Sequence, residues 1–130
     1  MANQYMRVRL EKIEKLSETD GTHLFFKGRG GRAVSVDQQG YHRIRLSIPE
    51  FPSKVMILAR AVYILRHQRL DLYPGGPNAG LHVSHLCHEP LCIADAHLTL
   101  EPQCINKNRI RCHAFGECRG HEGYSNCILP

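Results

Sequence analysis

The segment HVSHLCHEPLCIADAHLTLEPQCIN, residues 82–106, gathers four His and three Cys around the spacing Cys87-x4-Cys92-x4-His97. Imidazole nitrogens and thiolates carry lone pairs for a metal ion, and the short spacers let a loop wrap one. A second group follows directly, Cys112-x5-Cys118-x2-His121-x5-Cys127. Soft thiolates with imidazole, four to a site, are the donors that a tetrahedral structural zinc ion selects. The pattern therefore predicts two zinc-pinned loops, with a reactive histidine, His85, held just before the first ligand. Residues 81–85 alternate as a strand that delivers His85 at its end, residues 97–101 return as a second strand, and Pro102 opens a helix to about residue 110 that carries Asn106, Asn108 and Arg109. Strand, strand and helix with metal ligands in the connection make a ββα unit.

Working upstream, residues 54–67 read as a central helix, apolar nearly all round and N-capped by Ser53. Residues 41–48 read as a strand that puts Ile44, Leu46 and Ile48 on a core face and Arg43, Arg45 and Ser47 outward. Its predicted partner is residues 32–36, in a hairpin around Asp37-Gln38-Gln39-Gly40. A basic ribbon of this kind can lie in a DNA groove and donate to phosphates or guanine edges. Before it come a Gly-rich basic loop at 27–32, a short strand at 23–26, a polar turn at 17–22 and an amphipathic helix over 4–16, with Tyr5, Val8, Ile13 and Leu16 on its apolar face. The basic loop lacks the phosphate-loop pattern.

With 130 residues and a net charge of +5 that leaves nine His uncounted, the chain predicts one small domain over residues 1–130 and a polyanionic partner. No apolar run is long enough to span a membrane, and residues 1–11 carry no apolar leader, so an intracellular protein is expected, nuclear in a eukaryote. Six Cys could instead pair as disulfides. All six lie from Cys87 onward, however, with His interspersed at ligand spacing, which a disulfide framework does not require.

Ser84-His85-Leu86-Cys87-His88, then Cys92, His97-Leu98, Asn106 and the closing Cys/His group resemble the His-Cys box homing endonucleases, among the ββα-metal or His-Me finger nucleases. The resemblance spans residues 41–127 and is specific over 82–112. Gly40-Tyr41-His42-Arg43-Ile44 is similar to the Gly-Tyr-x-Arg strand before the box. The resemblance implies hydrolysis of double-stranded DNA to 5′-phosphate and 3′-hydroxyl ends. In its terms His85 is the general base, Asn106 holds one divalent ion, Mg²⁺, and Arg43, with Arg45 as the alternative, braces the phosphate. An imidazole of pKa about 6.5 can be neutral at pH 7 and take a proton from water, and a neutral amide oxygen binds Mg²⁺ without cancelling its charge.

By the same resemblance Cys87, Cys92 and His97 hold the first of two structural Zn²⁺ ions, and Cys112, Cys118, His121 and Cys127 hold the second. The family's fourth ligand of the first site is an upstream Cys, which this sequence lacks. His23 stands about where that Cys belongs, and Cys104 competes by nearness in sequence. His23 is preferred, because Cys104 opens the Asn106 helix and can face the core. A homodimer is among the assemblies implied, although the sequence runs only three residues past Cys127, short of the tail that such proteins use to pair.

The expected fold is therefore α+β: a small zinc-stabilised domain with an antiparallel sheet, a central helix, a ββα-metal motif over 81–110 and a second zinc loop over 111–130. The expected function is a Mg²⁺-dependent DNA endonuclease. A zinc-stabilised nucleic-acid-binding module without cleavage explains charge and zinc equally well, but it leaves His85 and Asn106 without a purpose.

Overall fold

The computed structural model describes residues 2–28 and 35–129. Among these residues three α-helices and six short strands make an α+β fold, as the sequence predicts, but the strands form three separate two-stranded antiparallel sheets rather than one. Helix α1 (Ala2–Lys15) buries Met6 and Ile13, two turns apart on one face. Val8, expected on that face, is exposed. The polar stretch after it is not only a turn: β1 (Ser17–Thr19) pairs with β2 (Leu24–Phe26), with Thr19 opposite Leu24. Asp20 closes that hairpin by accepting the Thr22 and His23 amides on Oδ1 at 2.9 and 2.7 Å, with Gly21 at φ +94°.

Strand β3 (Arg43–Leu46) shows the predicted two faces, with Leu46 and Ile48 buried and Arg43 and Arg45 outward. Its partner among the described residues lies downstream. Residues 32–34 fall outside the described residues, Ser35 and Val36 are not in a strand, and β3 pairs with β4 (Lys54–Ile57) in the register Arg43 to Ile57. The predicted helix over 54–67 is thus divided. Its first four residues, with Met56 buried and Val55 50% exposed, complete the hydrogen bonds of β3. A short apolar run is ambiguous between strand and helix, and the neighbouring strand decides it. Ser53 caps nothing; it hydrogen-bonds Ser47 Oγ at 2.8 Å, and helix α2 (Leu58–His67) starts after Ile57 with no side-chain cap.

Helix α2 is the centre of the core, burying Leu58, Ala59, Ala61, Val62, Ile64 and Leu65. Met6, Ile13, Leu46, Met56, Leu72, Tyr73 and Ile93 pack into the same cluster. From α2, Arg60 donates to the carbonyls of Leu72, Ala79 and Leu81 at 2.8, 2.9 and 2.6 Å. Those three bonds tie the following loop down as it enters β5 (His82–His85). Strand β5 pairs with β6 (Leu98–Glu101), His85 opposite Leu98, and helix α3 (Gln103–Phe115) follows. α3 runs one turn past the predicted end and stops at Gly116, φ +68°, so that Cys112 sits on a helix rather than in a loop.

Candidate metal centres and active site

Two groups of four side chains meet as donors. His23, Cys87, Cys92 and His97 form one, and Cys112, Cys118, His121 and Cys127 the other, each with its ligand atoms within 4.8 Å of one another. Around His121 Nε2 the sulfurs of Cys112, Cys118 and Cys127 stand at 3.6, 3.5 and 3.5 Å. One ring nitrogen offers one proton or one lone pair, so three hydrogen bonds through it are more than its valence allows. A cation at the centre accounts for all three contacts. With Zn–S about 2.3 Å and Zn–N about 2.0–2.1 Å, the sulfur-to-nitrogen edge of a tetrahedron is roughly 3.6 Å. The first group repeats that edge between Cys92 Sγ and His97 Nδ1, at 3.6 Å. All six cysteines are free thiols. Both clusters are thus consistent with structural zinc, and the disulfide reading fails.

The first cluster draws on three segments. The chain around Cys92 docks on β2 through an isolated bridge between Phe25 and Cys92 and a bond from the Ile93 amide to the Leu24 carbonyl at 2.8 Å. The Asp20 turn then presents His23 to the cluster, its ring edge-on to His97 at 5.3 Å. Of the two candidates for the fourth position the structure brings His23 to the group and leaves Cys104 exposed on α3. Within the cluster the Cys87 hydrogen bond holds the Cys92 thiol down to about 4, while Cys92 pushes Cys87 up and raises His23 by its hydrogen bond.

His85 ends β5 beside this cluster, and Asn106 lies on the α3 turn that packs against it. Both line one cavity of about 160 Å³, with Gln39, Tyr41, Ser84, His88 and Arg109. His85 is 8% exposed, and its Nε2 is buried without a partner, which leaves Nδ1 as the nitrogen that can meet cavity water. Burial pushes its pKa down to about 4, against the opposing pull of Cys92, so the ring is uncharged at pH 7. Asn106 Nδ2 donates to Ser84 Oγ at 2.6 Å, so that the carboxamide oxygen remains free to accept. Among the described residues no carboxylate lines the cavity. One hard oxygen donor in a polar space fits a divalent ion that keeps water and takes its other ligands from a phosphate.

Arg43 is not among the lining residues; its Nε pairs with Asp37 Oδ2 at 3.1 Å, on the turn that carries Gln39 and Tyr41 to the cavity. Arg45, also outward, reaches Ser53 Oγ at 3.3 Å. His88, which the sequence places beside the metal ligands, lines the cavity at φ +61°. Two roles escaped the sequence reading: Ser84 holds Asn106, and Arg109 is buried in a two-pronged ion pair with Glu101 at 2.8 and 2.7 Å. Arg109 and Asn106 are three apart on a helix and so share a face, which was the available signal.

A family model described as the zinc-binding loop region of homing endonuclease matches residues 34–128. No curated protein and no solved structure matches the chain.

Proposed function

The chain belongs to the family of the homing-endonuclease zinc-binding loop region, and from that premise we propose that it is a DNA endonuclease that hydrolyses phosphodiester bonds with one Mg²⁺. The observation that carries the reading is the shared cavity: an uncharged, nearly enclosed imidazole and a free carboxamide oxygen face one polar space beside two metal clusters. His85 Nδ1 takes a proton from water, and the hydroxide attacks the scissile phosphorus. The inward Nε2 keeps its proton, which leaves the Nδ1 lone pair to act as the base. Entry of a phosphodiester charge raises the His85 pKa toward the working pH and strengthens the base. Asn106 holds the divalent ion, which when bound neutralises charge on the departing 3′ oxygen. Ser84 fixes Asn106, and Arg43 or Arg45, both on the outward face of β3, braces the DNA backbone.

Two zinc ions, one on His23, Cys87, Cys92 and His97 and one on Cys112, Cys118, His121 and Cys127, hold β5 and α3 in fixed relation. Helix α2 and its partners supply only a modest core for this task. No described helix is long and apolar enough to cross a membrane. Cellular DNA as substrate places the protein inside the cell, and in the nucleus of a eukaryotic host.

Supercoiled plasmid with Mg²⁺ tests the reading. Wild-type protein is expected to nick and then linearise it, leaving 5′-phosphate and 3′-hydroxyl ends. His85→Ala should slow this by about 10²–10⁴-fold with fold and two zinc ions per chain retained. Undiminished cleavage by that variant removes His85 from the reaction. Binding without any cleavage by the wild type makes the protein a zinc-stabilised DNA-binding module instead.

A further inference from the structure

Arg109 is 2% exposed, yet it lines the cavity of His85 and Asn106, and no step above uses it. Its guanidinium nitrogens go to different parts of the fold. Nε and one terminal nitrogen donate to the two Glu101 oxygens at the end of β6, at 2.8 and 2.7 Å. The other terminal nitrogen donates to Cys127 Sγ, in the second cluster, at 3.4 Å. Asn106 lies one helical turn before it on α3. A second tie runs the same way: the Ile128 amide donates to the Leu86 carbonyl at 2.8 Å, next to His85.

Charge gives the arrangement a reason. Two thiolates and two neutral imidazoles balance a divalent ion, as in the first cluster. Three thiolates and one imidazole, as in the second, leave one negative charge over. A guanidinium hydrogen bond to one of those sulfurs is charge-assisted and stronger than a neutral one. The buried cation stands at the cluster that has charge to offset.

We propose that Arg109 is a positioning residue that couples the second Cys/His cluster to the cavity. With the cluster formed, Cys127 and Glu101 together fix the guanidinium, and the guanidinium fixes the rotation of α3 that holds Asn106 against Ser84. The proposal rests on the reading of the clusters as zinc sites and of Asn106 as a cavity ligand, but its principal readouts need no cleavage.

The full zinc-loaded chain is compared with Arg109→Lys, Glu101→Gln and, as an exposed control on the same helix, Lys107→Ala. Zinc transfer to a chromogenic chelator is followed, with each phase assigned to its cluster by mass spectrometry of the alkylated thiols. In Arg109→Lys the second cluster should release zinc roughly tenfold faster or more, with the first cluster unchanged. The Asn106 side-chain amide signal in nitrogen-15 spectra, identified by its loss in Asn106→Asp, should shift in the same variant. In wild type, withdrawing zinc from the second cluster alone should shift it too. Under the nuclease reading, the Mg²⁺ needed for half-maximal cleavage rises while KM for DNA holds. Unchanged release from the second cluster, or faster release with the Asn106 signal unmoved, overturns the coupling. If Arg109→Lys does not fold, Glu101→Gln and the wild-type withdrawal decide in the same way. Absence of cleavage with both metal readouts as expected sinks the nuclease reading and leaves the coupling standing.

Discussion

Ser84 and Glu101 show how much of the site depends on residues that do no chemistry. Ser84 is buried and accepts the Asn106 amide. Ser84→Ala should cost about 1 kcal/mol of stability and, under the proposed nuclease reading, raise the Mg²⁺ requirement of cleavage roughly tenfold, read by denaturant titration and by a Mg²⁺ series. Glu101 is 1% exposed and holds both prongs of Arg109. Removing it leaves a buried guanidinium without its carboxylate, so Glu101→Ala should lose about 3–5 kcal/mol, measured by urea unfolding in excess zinc. The meeting of His85 and Asn106 in one cavity was legible from their places in the ββα order, as were seven of the eight cluster donors from spacing. Ser84 and Glu101 were not, because Ser and Glu are unremarkable in sequence until a partner from another element reaches them.

Elements were legible where their pattern was long. α1, the strands around the metal loop and the start of α3 fall close to their predicted places. The error at residues 54–57 has a definite cause: Lys54-Val55-Met56-Ile57 carries too few residues for its period to be read, and the open edge of β3 claims it. The β3 partner was sought upstream for a related reason, since a turn at Asp37–Gly40 suggests a hairpin whichever strand supplies the other half. That turn exists, with the Gly40 amide on the Asp37 carbonyl at 3.0 Å, but it delivers Gln39 and Tyr41 to the cavity. The loop before β5 is as constrained as any strand. A Cβ at Gly76 would lie 2.5 Å from the Asp71 carbonyl oxygen, so Gly76→Ala should destabilise by about 1–3 kcal/mol. A lowered Tm with both clusters still loaded checks this.

For the whole molecule, the clusters tie together segments that the core does not. α2 anchors one side and packs against β5, while α3 and the tail after Cys118 rely on Cys and His contacts, the Arg109 pair and a few backbone bonds. Stripping zinc with a strong chelator should therefore abolish the fixed tertiary structure of the second half, lost near-ultraviolet dichroism and collapsed amide dispersion being the measure. Added zinc should restore both, and reductant alone should change neither. The order and spacing of Cys and His along the chain determined by themselves three donors of the first cluster and all four of the second, since short connections keep those ligands within reach whatever the rest does. The sequence also determined the ββα order and the outward Arg of β3, which depend on local periodicity. Only the tertiary structure decided that His23 completes the first cluster, that β4 pairs with β3, and that Arg109 joins β6 to Cys127 beside Asn106. Those contacts join residues distant in the chain, and they depend on how whole elements dock, a sum of many packing and desolvation terms that no local pattern encodes.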